Sequence, residues 1–106
     1  MQVWKNCSID TLYYTDRPAD VDEKGSIVRL TDDYLEVAYD DGGPVVYRGK
    51  NNHDGHFNLI APEVKGKASL HFFPNSNIME GYWIEDGVQG MWRVRLGYLT
   101  ECTSGV

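Results

Sequence analysis

From Asp32 onward, turn-forming residues recur about every ten positions, and the stretches between them are short, alternating and rich in β-branched and aromatic residues. That spacing predicts an antiparallel meander. Seven strands are expected: Ser26 to Thr31, Tyr34 to Asp40, Val45 to Gly49, His56 to Ala61, Lys67 to Phe73, Ile78 to Glu85 and Val88 to Leu96.

The best-defined hairpin is Ile84-Glu85-Asp86-Gly87-Val88-Gln89, because Asp-Gly is a preferred pair for a two-residue type I′ turn between twisted strands. A turn at Asp86-Gly87 sets Glu85 opposite Val88, Trp83 opposite Gly90 and Gly81 opposite Trp92, all on one face. Each Trp then covers a Gly, the arrangement called aromatic rescue. The loop Pro74-Asn75-Ser76-Asn77 continues the register, pairing Phe72 with Met79 and Ala68 with Trp83. On the other face His71 lies beside Glu80, and Glu80 beside Arg93. Asp32-Asp33 can close a further turn that sets Leu30 and Val28 opposite Leu35 and Val37, while Asp41-Gly42-Gly43 keeps Val37 and Tyr39 on the face of Val45 and Tyr47.

The segment Gln2 to Thr15 holds good strand formers without clean alternation and is read as an N-terminal strand. Residues 16–25 begin with Asp, place Pro just inside and end with Gly, the pattern of one short helical turn. The fold class that follows is all-β. An antiparallel meander of seven to eight short strands closes into a small up-and-down barrel without unpaired edges, with one short helical turn after the first strand.

This pattern resembles the small up-and-down barrels of the lipocalin and avidin kind, with their short turns, Gly-x-Trp unit and early helical turn. Gly81-Tyr82-Trp83 sits on the penultimate strand, whereas lipocalins carry Gly-x-Trp on the first, so no binding residue is carried over from either family.

The chain has 106 residues, 42% of them hydrophobic and 25% charged, which fits a single domain spanning 1–106. Such a chain buries about two-thirds of its unfolded surface, enough for a core without a metal or disulfide framework. Its net charge of -6 has the wrong sign for neutralising phosphates, so neither nucleic acid nor an anionic membrane is expected as a partner. The first residues lack the basic start and apolar run of a signal peptide, and a cytoplasmic location is expected. Cys7 and Cys102 are read as reduced structural thiols; if the two terminal segments pair in space, a disulfide suited to an oxidising compartment is the alternative.

Three sets of residues carry candidate chemistry. His53, Asp54 and His56 bring two imidazoles and a carboxylate together on what reads as a loop entering a strand, as ligands for a divalent metal, but the spacing matches no strong ligand motif and polar turn chemistry is the favoured reading of Asn51 to Gly55. His71, Glu80 and Arg93 could orient an imidazole for general acid or base catalysis, and the plainer reading is a solvated ladder of ion pairs. The third set is aromatic: Tyr47, Phe57, Phe72, Trp83 and Trp92 with Met79 face inward, joined by Tyr39, and suit an apolar or planar ligand. These side chains either fill the narrow barrel or leave a pocket at one end.

Outward-facing Phe73, Ile78, Tyr82, Ile84 and Met91 are expected to form apolar patches that a second copy of the chain could cover. The leading expectation is a binding module without a cofactor, holding a small apolar or aromatic molecule at one end of the barrel or a protein partner through such a patch. One alternative is a small barrel enzyme, an isomerase or hydrolase, using His71 with Glu80 or His53 with His56. The other is a ligand-free interaction or regulatory domain.

Overall fold

Asp86 and Gly87 both take positive φ, 48° and 83°, which is the type I′ geometry that lets a hairpin follow the right-handed twist of its strands. The turn joins strands Ile78–Glu85 and Val88–Arg95, and every pair expected across it is present, from Glu85 with Val88 to Met79 with Val94. The computed structural model describes residues 1–102. In chain order the strands are β1 (Gln2–Tyr13), β2 (Asp20–Leu30), β3 (Tyr34–Asp40), β4 (Pro44–Lys50), β5 (His56–Ala61), β6 (Gly66–Phe72), β7 (Ile78–Glu85), β8 (Val88–Arg95) and β9 (Tyr98–Cys102).

From β2 to β8 each strand pairs with its neighbour in the chain, and β1 pairs with both β2 and β8, closing an eight-stranded antiparallel barrel. The ninth strand continues the line of β8 along β1. Ser8 faces Arg95, and after an irregularity at Asn6 and Gly97, Lys5 faces Tyr98. Three register shifts in the β1–β2 pairing explain why the N-terminal segment shows no clean alternation. No helix among the described residues is long and apolar enough to cross a membrane.

Residues 16–25 depart from the expected helical turn. They form an open connection followed by the first residues of β2, which begins at Asp20 rather than Ser26. The cause is tertiary: the second half of β1 needs a partner, and the Asp10 carboxylate accepts the Asp22 N–H at 2.8 Å while Tyr13 bonds Asp20. The one helical turn among the described residues is a 3-10 turn at Pro62–Val64, after β5, which Lys65 ends in the left-handed region. Strand β9 is exposed at every position and was not among the expected strands.

The interior is packed by Val28, Leu35, Val37, Leu59, Leu70 and Val94, each with 1% exposure or less. Gly90 accommodates the Trp83 ring, whose Cζ2 lies 2.8 Å from where a Cβ would stand. As the Leu12 carbonyl is at Gly90, the Ser69 carbonyl is the nearest neighbour at Gly81, 1.8 Å from such a Cβ. The Trp92 indole, paired across from Gly81, donates to that same carbonyl at 3.0 Å. Ser69 is buried, and its hydroxyl accepts the Tyr82 N–H at 3.2 Å. The two thiols are free, Cys7 buried and Cys102 exposed. The terminal segments do pair, yet Cys102 faces Gln2 rather than Cys7.

Candidate functional site

Alternation along β3, β4, β7 and β8 turns Tyr39, Tyr47, Trp83 and Trp92 into the barrel, toward the end where the Asp40–Gly43 and Asp86–Gly87 turns lie. Tyr39 stacks on Tyr47 with ring centroids 6.4 Å apart, and Tyr47 meets Trp92 at 5.4 Å. At the mouth Trp83 and Tyr13 meet in a T-shaped contact, with ring centroids 5.5 Å apart and planes at 84°. These rings wall a cavity of about 670 Å³ that opens between the β1–β2 hairpin and the two turns.

Polar groups are built into the wall. Glu85 follows Trp83 by two residues on the inward face, and the Tyr47 hydroxyl donates to its Oε1 at 2.8 Å. Gly66 makes room for this contact, since a Cβ there would come within 2.2 Å of the hydroxyl. At the rim the Tyr13 hydroxyl donates to Asp20 Oδ2 at 2.5 Å, and the Arg17 guanidinium lies 4.3 Å from the Tyr13 ring centroid while reaching Asp20 at 3.4 Å.

Burial raises the Tyr39 and Tyr47 phenols well above the ordinary tyrosine range. Glu85 adds to both, as a nearby negative charge for Tyr39 and as hydrogen-bond acceptor for Tyr47. Burial and the bond to Asp20 push Tyr13 up to about 12. Six carboxylates, those of Asp20, Glu23, Asp40, Asp41, Glu85 and Asp86, line the cavity against the two cationic groups of Arg17 and Lys24.

Of the expected ligand-binding residues, Trp83, Trp92 and Tyr47 line this cavity. Phe57 and Phe72 line a shallower depression at the opposite end, and Met79 is wholly buried between the two. That opposite depression gathers His53, Asp54, His56 and His71. The two cross-strand imidazoles of His56 and His71 meet with Nδ1 atoms 3.1 Å apart, one donating and one accepting according to tautomer. Asn51 and Asp54 spend their side chains on the turn, accepting the backbone N–H groups of His53 and His56. Among the described residues no group of three or more His, Cys, Asp or Glu is arranged to hold a metal ion.

Glu80 sits beside His71 as the register requires, but its Oε1 is engaged by Arg93 Nε at 2.7 Å on the exposed outer face. Tyr82 and Met91 are paired and exposed there, and Leu12 extends them into a row across three strands. Ile78 and Ile84 are half-buried, and the Glu80–Arg93 pair stands between Ile78 and that row. Phe73 is exposed in the β6–β7 loop, beside the histidine depression.

Sequence reasoning missed Arg17 and Asp20, which belong to the segment read as helical, and Tyr13, which was read as part of the N-terminal strand and given no role at the site. It also left Glu85 without a role, although the hairpin register had already set this carboxylate on the inward face. No family model, curated protein or solved structure matches the chain.

Proposed function

We propose that the chain is a small binding module that holds an aromatic or apolar small molecule in the open end of its barrel. The observation that carries this reading is the cavity of about 670 Å³ walled by Tyr39, Tyr47, Trp83 and Trp92, in a barrel whose interior is otherwise packed. Sites for small molecules are concave, in the range of roughly 300–1,000 Å³, and combine apolar surface with fixed polar groups; here the rings lie in the wall and charged side chains share the lining with them. Flat rings give a planar ligand large contact area at low entropic cost. The groups that an isomerase or hydrolase would use lie elsewhere: His53 and His71 are exposed at the far end, and Glu80 is held by Arg93.

The neutral fluorophore N-phenyl-1-naphthylamine tests the reading. Its emission is expected to rise saturably with the parent protein and to lose that rise with Thr11→Phe, a change that places a ring in the cavity from β1 opposite Trp92. No saturable rise with the parent, or equal affinity for a folded Thr11→Phe, overturns it.

A further inference from the structure

We infer that the ligand of this site is an organic cation, a protonated amine carried on an aromatic body. The inference rests on the proposed binding function and adds the sign of the ligand's charge.

Tyr39, Tyr47 and Trp92 present successive rings along one side of the cavity and Trp83 faces it from another. Ring faces carry negative potential and attract cations, most strongly where water is excluded. The chain itself uses this chemistry at the rim, where the Arg17 guanidinium lies over the Tyr13 ring and pairs with Asp20. Deeper in, the same combination recurs without a cation of the protein's own. Glu85 stands beside the Tyr47 ring with one oxygen fixed by the phenol, and among the described residues no Lys or Arg pairs with Glu85, Glu23, Asp40 or Asp41.

The field points the same way. Six carboxylates against two cationic side chains give the lining a formal charge of -4, and counting Lys65, which lies 4.0 Å from Asp86, still leaves -3 at this end of the barrel. Low-dielectric walls focus such a field, drawing a cation in and turning an anion away. An amine can donate to Glu85 while its aromatic body lies on the tyrosine and tryptophan rings. A neutral molecule of the same shape keeps the second contact and at most donates an uncharged hydrogen bond to Glu85, without the attraction between opposite charges.

Calorimetric titration at pH 7 with three compounds of matched shape separates the possibilities: 2-(1-naphthyl)ethylamine, 2-(1-naphthyl)ethanol and 3-(1-naphthyl)propionate. The amine is expected to bind the parent at least tenfold more tightly than the alcohol, with the carboxylate weakest. Glu85→Gln retains an acceptor for Tyr47 and for an alcohol, and it is expected to remove most of the amine's advantage while changing the alcohol's affinity far less. If that variant does not fold, Asp41→Asn in the β3–β4 turn is expected to reduce the advantage severalfold. Equal affinity for amine and alcohol, or tightest binding of the carboxylate, overturns the cation while leaving the pocket standing. Binding of none of the three overturns both. An amine preference unmoved by Glu85→Gln and Asp41→Asn overturns the assignment to this site.

Discussion

The Tyr47 hydroxyl reaches Glu85 through the space that Gly66 leaves by having no side chain. Gly66 is paired with Glu85 across β6 and β7, so a single hydrogen bond ties β4 to β7 over a strand that is bare at the crossing point. Gly66→Ala is expected to drive the hydroxyl away and destabilise the fold by about 1–3 kcal/mol through overpacking. Tyr47→Phe is expected to cost roughly 1.5–3 kcal/mol, since the bond is to a charged acceptor. Combined, the two should cost less than their sum, because removing the hydroxyl relieves the clash; denaturant melts of the four proteins close the cycle. Strict additivity would show that Gly66 and Tyr47 do not meet.

Stability is expected to fall in alkali earlier than the core alone would dictate. Burial, followed by the bond to Glu85, raises the Tyr47 phenol; burial and the charges of Glu85 and Asp41 raise Tyr39; Tyr13 is held at about 12. An unfolded tyrosine titrates near 10, so above about pH 10 the unfolded chain has lost protons that the native chain still holds. The stabilisation is therefore complete below about pH 10 and is lost as pH rises through the native values. Urea melts from about pH 8 to pH 11 should show this decline, shallower in Tyr47→Phe. A pH-independent midpoint would mean that these phenols are open to water.

The hairpins were legible because their turns are. Asp86-Gly87 accepts positive φ at both positions, and the register and faces of β7 and β8 follow from that alone. Residues 16–25 were not legible, since Asp, Pro and Gly in that order suit a helical turn locally, and only the bulged pairing with β1 overrides them. Strand β9 is five residues long and exposed on both faces, so no alternation announces it. Within the site, period-two alternation told inside from outside but not height along the barrel axis. Trp83 and Phe72 share the inward face, yet one lines the acidic mouth and the other the histidine end. Height depends on strand stagger, which is a property of the closed sheet.

Gly81→Ala is expected to be costly for a reason that the strand register does not contain. The added methyl would meet the Ser69 carbonyl, which is backbone and cannot rotate away, and it would obstruct the indole of Trp92 that donates to the same oxygen. A loss of at least about 3 kcal/mol is expected, at or beyond the upper end of ordinary overpacking. Near-ultraviolet circular dichroism should show the Trp92 environment changing with it. A variant that melts within about 0.5 kcal/mol of the parent would mean that β6 and β7 separate freely at this point.

Glu80→Gln is expected to leave stability within about 0.5 kcal/mol of the parent, because both partners of the Glu80–Arg93 pair are more than two-fifths exposed and solvent screens them. A loss of 2 kcal/mol or more, by contrast on the order of a buried charged hydrogen bond, would return this row and His71 to consideration as a working site.

The seam between β1 and the β8–β9 line joins Tyr13 to Gly90 at one end and Gln2 to Cys102 at the other, whereas every other pairing in the barrel links consecutive strands. Loop-closure entropy grows by roughly 0.6 kcal/mol per doubling, so a seam spanning most of the chain starts about 2 kcal/mol behind a hairpin some ten residues long. The hairpins, that of β1 with β2 among them, can stand before the seam zips, and the ribbon they form has two raw edges, β1 and β8, until these meet. A raw edge accepts a strand from any chain of the same sequence. Concentrated refolding is therefore where the edges of two molecules are expected to meet each other first, and dilution is the simplest way to keep each cylinder its own.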